Sequence, residues 1–245
     1  MSNSEVIDTA VLLVAGVGSR LRPLTDNAPK ALIPVGASSM LERAVAALRS
    51  HGVRHFVFAT GYRQEAVRQM VATLGVTASF CHNPRFEVTQ NSISLLYCRS
   101  VVGNAGFYKL DGDVLFEPEI LARVAGSAAQ LSVAVDGMRP LDAEAMKVVV
   151  DANRSITTFG KGVPVAKSHG ESIGIERISS TMSSSLFDAI AALESNGIVD
   201  KYYEDVYSEL VAAGHITASA VEVGDLRWTE VDDHADLERA AAMFA

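Results

Sequence analysis

The stretch Ala15-Gly16-Val17-Gly18-Ser19-Arg20-Leu21-Arg22-Pro23-Leu24-Thr25, closed by Pro29-Lys30, decides how this chain is read. It follows Ala10-Val11-Leu12-Leu13-Val14, an apolar run with the character of a strand buried on both faces. The chain therefore leaves a buried strand into a loop with two glycines and two arginines, and a lysine follows shortly. Glycines let a backbone turn sharply and come close to a ligand. Free N–H groups beside fixed cations suit a polyphosphate. Two familiar phosphate loops are excluded. The dinucleotide fingerprint wants a third glycine where Leu21 stands. The P-loop wants Gly-Lys-Ser/Thr where this chain has Ser19-Arg20-Leu21.

Outward from that loop, strand and helix patterns alternate. Residues 53–60, 76–81, 106–110 and 131–135 read as strands. Residues 40–48, 65–74, 91–97 and 118–124 read as helices, with Asn91 or Ser92 as the expected N-cap of the third. Such alternation predicts an α/β fold, a Rossmann-like, mostly parallel sheet sandwiched by helices with right-handed crossovers. Ligands on such sheets sit beyond the carboxyl ends of the strands, where the 16–30 loop belongs. From about residue 138 the character changes. Residues 146–150, 155–159 and 172–178 read as strands of an added β layer covering the open face of the sheet, a small β/α lid region. Helices over 186–193, 203–211 and 234–243 and strands over 215–223 and 228–231 complete the pattern. Without a repeat or a low-complexity linker, residues 1–245 read as a single domain with halves 1–137 and 138–245.

The chain is 49% hydrophobic and 20% charged, enough for a large core. A net charge of −8 with no long basic run speaks against nucleic-acid binding, which relies on Lys and Arg to neutralise phosphates. No apolar run approaches a membrane span. Met1-Ser2-Asn3-Ser4-Glu5 lacks the regions of a signal peptide. Cys81 and Cys98 have no metal-like spacing and read as reduced core residues, so a cytoplasmic protein is expected. The six histidines show no metal spacing either, and His51, His55 and His215 read as surface residues.

Two acidic segments stand out. Asp111-Gly112-Asp113 ends an apolar strand, and carboxylates two residues apart share a side while strand geometry lasts. They suit Mg²⁺, which takes few carboxylates together with waters and phosphate oxygens. Asp-Gly is also ordinary turn chemistry. In Trp228-Thr229-Glu230-Val231-Asp232-Asp233, Glu230 and Asp232 alternate along a short strand, and Asp233 suits a helix cap.

The opening stretch resembles the signature of the nucleotidyltransferases that activate sugar phosphates and small phospho-alcohols, A-G-x-G-S/T-R-L-x-P-L-T and then P-K, with every fixed position present. The resemblance implies a nucleotide-diphospho-sugar-transferase-like fold, with residues 1–137 binding the nucleotide and 138–245 the acceptor. It implies Mg²⁺ as cofactor and attack of an acceptor oxygen on the α-phosphorus of a nucleoside triphosphate. Catalytic roles fall to Arg20 and Lys30, and metal ligation to Asp113 and Asp232. Nucleotide contacts fall to Val14, Ala15, Gly16, Gly18, Ser19 and Asp111. Asn83-Pro84, Gln90-Asn91-Ser92-Ile93-Ser94-Leu95, Met146-Lys147-Val148, Gly170-Glu171-Ser172-Ile173-Gly174 and Tyr202-Tyr203-Glu204-Asp205 look like one branch of that family. That branch makes cytidine diphosphate derivatives of small phospho-alcohols and phosphonates, so the partners it implies are CTP and a small anionic acceptor. Asn91 and Ser92 then suit a cytosine edge, with helix capping as the alternative. Lys147, Glu171, Tyr203, Glu204 and Glu230 are the acceptor-binding candidates. Carboxylates pair with an amine and an aromatic face attracts a quaternary ammonium, so they suit a cationic head. Tyr-Tyr-Glu-Asp is equally an ordinary helix start. A homodimer is compatible with all of this. A sugar-1-phosphate nucleotidyltransferase using another triphosphate and a non-catalytic nucleotide-sensing module are the competing readings. An oxidoreductase is disfavoured by the missing third glycine.

Overall fold

Successive residues of the first strand face opposite sides of the sheet, and both sides are buried, which sets two cores. In a computed structural model, which describes residues 5–244, Ala10, Leu12 and Val14 pack with Phe56 and Phe58 on one side. Val11 packs with Val57, Ala59 and Phe107 on the other. The strand is β1 (Thr9–Val14). After single 3₁₀ turns at Ser19–Leu21 and Lys30–Leu32 come β2 (Pro34–Val35), β3 (Ser38–Ser39) and α1 (Met40–Ser50). Then follow β4 (His55–Thr60), α2 (Gln64–Thr73), β5 (Thr77–His82), α3 (Asn91–Leu96), α4 (Arg99–Val102) and β6 (Phe107–Asp111). The middle holds β7 (Val114–Phe116), α5 (Glu119–Ala125), β8 (Leu131–Asp136), β9 (Lys147–Val150), β10 (Ile156–Gly160) and β11 (Gly170–Ile178). The chain closes with α6 (Ser180–Ser195), α7 (Tyr203–Ala212), β12 (Ala218–Glu222), β13 (Trp228–Glu230) and α8 (His234–Phe244).

The helices form where sequence chemistry permits. At α1 the Ser39 hydroxyl accepts from the Glu42 N–H at 3.2 Å, and the Ser39 N–H donates to the Glu42 carboxylate at 2.7 Å. This reciprocal pair satisfies two N–H groups that a helix start leaves without partners. The buried face of α1 is Met40, Leu41, Ala44, Val45, Ala47 and Leu48, the expected apolar stripe. No helix among the described residues is long and apolar enough to cross a membrane.

The main sheet runs β10-β9-β11-β6-β1-β4-β5, with β8 and β12 joined to it through β11. Strands β6, β1, β4 and β5 are parallel, as expected. The added β layer is not observed. Strands β9 to β12 belong to the same sheet instead of covering its face, while β13 pairs with β7 in a separate two-stranded sheet. The long strand β11 is the reason. Its residues 175–178 pair antiparallel with β6, while Gly170 and Glu171 pair with β9. A strand buried on both faces carries no alternation to show which neighbour it joins. His51 and His55 are half-buried and bonded to the Tyr108 hydroxyl and Ser79 Oγ; only His215 of the three lies open. Cys81 and Cys98 are buried free thiols.

A third, small core joins the first loop to the chain's far end. Leu21, Ile33 and Met40 pack with Leu115, Val231 and Ala240 of α8. Leu21 is fully buried, and a leucine so placed contributes about 1.5–3 kcal/mol. The apolar residue inside the loop thus anchors it, while its polar neighbours stay free for chemistry.

Candidate active site

The first part of the loop after β1 is fixed through its carbonyls, and its amides from Gly16 to Ser19 are left without protein acceptors among the described residues. Gly18 sits at φ +67°, and a Cβ there would lie 2.8 Å from Lys30 Cβ, so only glycine lets Lys30 pack beneath the turn. The Gly18 carbonyl accepts from the Leu21 N–H at 3.0 Å and from the Thr25 hydroxyl at 2.9 Å. The Tyr62 hydroxyl donates to the carbonyls of Thr25 and Asp26, and the Tyr62 N–H donates to the Ala15 carbonyl. Among the described residues, no N–H from Gly16 to Ser19 finds a protein acceptor. Val14 is buried and ends the strand, so its side chain serves the core.

Lys30, at the end of the loop, meets acids from the middle and the end of the chain. The Gly112 N–H donates to the Leu13 carbonyl at 3.0 Å, which stitches the exit of β6 to the end of β1. The Val231 N–H donates to the Asp113 carbonyl at 3.0 Å, and β13 pairs with β7. Lys30 Nζ consequently lies 2.6 Å from Asp113 Oδ2 and 2.6 Å from Asp232 Oδ1. Arg20 Nη2 lies 2.8 Å from Asp232 Oδ2. Burial pulls the Lys30 ammonium down, but the two carboxylates outweigh it and hold it above the usual lysine range. Burial raises Asp232, and Lys30 and Arg20 outweigh that in turn, leaving it below the usual carboxylate value.

Asp113, Glu230 and Asp232 each offer an oxygen, and these lie within 4.8 Å of one another. Glu230 is pushed up to about 9 by desolvation and then by Asp113 and Asp232. Since Glu230 opens to solvent, the crowding of like charges is the cause the geometry supports better. Asp113 Oδ1 is buried and has no partner. Hard carboxylate donors, one with an orphaned oxygen, fit Mg²⁺. The Lys30 ammonium lies between Asp113 and Asp232, two of the three acids that would hold such an ion.

Asp111 and Asp113 part company. The strand ends at Asp111, and the turn at Gly112 sends the two side chains to different neighbours. Asp111 Oδ2 accepts from the Tyr203 hydroxyl at 2.6 Å, and Oδ1 accepts from Lys109 Nζ at 3.2 Å. Lys109, fully buried, also lies 2.8 Å from the fully buried Glu176 and 3.5 Å from the centre of the Tyr203 ring. Burial pushes Glu176 up to about 7 and Glu204 up to about 8, Lys109 offsetting part of each rise and Asp111 adding to it. Glu204 Oε2 and the Tyr207 hydroxyl, both buried, have no partner. Sequence reading missed Lys109 and Glu176. The signal was there: each is a charge inside a strand of mostly apolar residues, and β6 and β11 place them opposite one another.

The other candidates are largely engaged within the protein. Gln90, not Asn91 or Ser92, is the N-cap of α3, without a side-chain bond. The Asn91 carbonyl oxygen accepts from the Tyr203 N–H at 3.1 Å, and the Ser92 hydroxyl donates to the Lys201 carbonyl at 2.6 Å. Both clamp α3 to the start of α7, and Ser92 is buried. Lys147, also buried, donates to the carbonyls of Ala143, Ala145 and Lys161 and so ties the segment entering β9 to the turn leaving β10. Glu171 stands opposite Lys147, half-buried, and burial followed by Asp136 pushes it up to about 7.

Residues 10–198 match the model of the MobA-like NTP transferase domain. The chain is similar to CMP-5'-(3-aminopropyl)phosphonate synthase of Streptomyces rubellomurinus, with 31% identity over 96% of this chain and 38% of the relative. It is similar to choline-phosphate cytidylyltransferase of Streptococcus pneumoniae, with 32% identity over 42% of this chain and 44% of the relative. The alignments thus span less than half the length of these two curated relatives. CTP:phosphoglutamine cytidylyltransferase of Campylobacter jejuni is 23% identical over 94% of this chain and 97% of its own. The inositol-1-phosphate CTP transferase from T. maritima shares the fold, with a TM-score of 0.81 at 22% identity over 98% of this chain and 97% of that one. The chain belongs to the MobA-like NTP transferase domain family.

Proposed function

We propose that this chain is a Mg²⁺-dependent cytidylyltransferase that moves a cytidylyl group from CTP to a small phosphonate or phosphate monoester and releases pyrophosphate. The observation that carries this reading is the Lys30 bridge between Asp113 and Asp232, set beside a loop whose amides from Gly16 to Ser19 have no protein acceptor among the described residues. Relatives whose names specify CMP or CTP chemistry support the choice of nucleotide.

The loop amides and Arg20 hold the β- and γ-phosphates, as a fixed cation beside free N–H groups does. Asp113 and Asp232, with Glu230 in reach, would hold Mg²⁺, which supplies Lewis-acid polarisation of the α-phosphate. Lys30 stays charged at any working pH, so its role is electrostatic and not that of an acid. It pivots from the two acids toward the α-phosphate, where charge builds as pyrophosphate leaves. The remaining task is to hold two anions in line against their repulsion. Asn91 retains its amide nitrogen for a base edge, its oxygen being engaged by Tyr203.

The test is pyrophosphate release with CTP, UTP, GTP, ATP or dTTP against phosphonates, phospho-alcohols and sugar 1-phosphates. The expected result is a preference for CTP of about tenfold or more with a small phosphonate or phospho-alcohol, abolished by EDTA. Preference for another nucleotide with a sugar 1-phosphate contradicts the proposal, and so does silence with every pair.

A further inference from the structure

Lys109 has no task in the transfer step, yet it sits in the most elaborate buried polar group of the molecule. Its ammonium is enclosed by the Asp111 carboxylate at 3.2 Å, the Glu176 carboxylate at 2.8 Å and the Tyr203 ring at 3.5 Å. Two carboxylates and an aromatic face are the parts from which a receptor for a quaternary ammonium is built. Here a side chain of the protein itself fills it. The cluster borders the active site through Asp111, whose carboxylate is partly open and whose charge reaches both Asp113 and Glu230. Gly174 holds it there: at φ +74° its missing Cβ would lie 2.4 Å from Asp111 Oδ2.

We infer that Lys109 selects the acceptor's head group: by covering the Tyr203 face it excludes a quaternary ammonium, while Asp111, the partly open acid beside it, receives a primary ammonium. The assignment rests on the cytidylyltransferase reading above. Two independent features support it. The aromatic face is unavailable, so a trimethylammonium loses the surface that attracts it and meets a like charge instead. Glu204 Oε2, buried to 5% residual exposure beside Lys109 and Asp111, lacks a hydrogen-bond donor. A buried acceptor left unpaired is costly, and an N–H donor relieves it. A primary ammonium brings three such donors and a trimethylammonium brings none.

The experiment measures kcat/KM with CTP and Mg²⁺ for phosphoethanolamine against phosphocholine, and for 2-aminoethylphosphonate against its N-trimethyl analogue. Members of each pair differ only in N-methylation. The wild-type chain is expected to prefer the primary amine by about tenfold or more, as sites that hydrogen-bond an N–H reject analogues lacking it. The double variant Lys109→Met with Glu176→Gln removes the resident cation together with its buried partner. It is expected to bring the pairs within about threefold of each other, through a lower KM for the methylated members. Equal use or preference for the methylated member by the wild type overturns the assignment. A folded double variant with wild-type selectivity overturns it as well. Should the double variant not fold, the wild-type ratio decides alone. Turnover of CTP with other acceptors but neither primary amine refutes the assignment and leaves the cytidylyltransferase reading standing. No turnover of CTP with any acceptor refutes both.

Discussion

Lys30 and Lys109 have similar partners and opposite surroundings. Each ammonium is held by two carboxylates within 3.2 Å. Lys30 joins acids from distant parts of the chain at the mouth of a loop, where Asp113 and Asp232 remain 22% and 31% exposed. Lys109 joins Asp111 on its own strand and Glu176 on the next, and its side chain is fully buried. At the first site water and ions can replace one partner by another. At the second, separating the pair strands a charge in the interior. Burial therefore makes one lysine a movable charge and the other a fixed element of shape.

The largest effect that tests this contrast is on stability. Lys109→Met leaves buried carboxylates uncompensated and is expected to cost about 3–5 kcal/mol in urea unfolding. Lys30→Met, at a partly exposed pair, is expected to cost about 1 kcal/mol or less. Equal losses would mean that burial does not separate the two sites. The next effect is on rate. Lys30→Ala is expected to lower kcat/KM for pyrophosphate release about a hundredfold or more, because a preorganised charge facing the transition state is lost. Activity within a few-fold of wild type contradicts the role given to Lys30. The smallest effect is on pH dependence. Glu176 and Glu204 titrate near 7 and 8 in the folded chain against an ordinary value of 4.5. The folded state thus holds more protons than the unfolded state between these values. Their contribution is most favourable below 4.5 and is lost as pH rises toward 8. The urea midpoint is expected to fall between pH 5 and pH 8 by an amount that Glu204→Gln reduces. An unchanged slope in that variant contradicts burial of a carboxyl there.

The two sites also differ in how far the sequence revealed them. Lys30, Asp113 and Asp232 were singled out by their resemblance to a known motif, and the structure brings the three side chains together. Gly18 makes the turn that lets Lys30 pack beneath it, and Asp113 and Asp232 each lie two residues beyond the end of a short strand. Lys109 and Glu176 depend on which strand lies beside β6, a matter of register between residues 67 positions apart. The same ignorance of strand neighbours placed residues 146–178 in a separate layer when β9, β10 and β11 continue the main sheet. Asn91 and Ser92 suit a helix start on propensity, but tertiary partners at Tyr203 and Lys201 claimed them. Polar side chains with several local uses are assigned by what packs against them.

The central claim is that Lys30 keeps the place of a divalent ion between two acids and yields it when a triphosphate arrives. A crystal structure with CTP and Mg²⁺ tests this most directly. The account predicts the ion between Asp113 and Asp232, the phosphates on the amides of Gly16 to Ser19, and Lys30 turned to the α-phosphate. A nucleotide bound elsewhere, or Lys30 still bridging Asp113 and Asp232 with CTP in the loop, contradicts it.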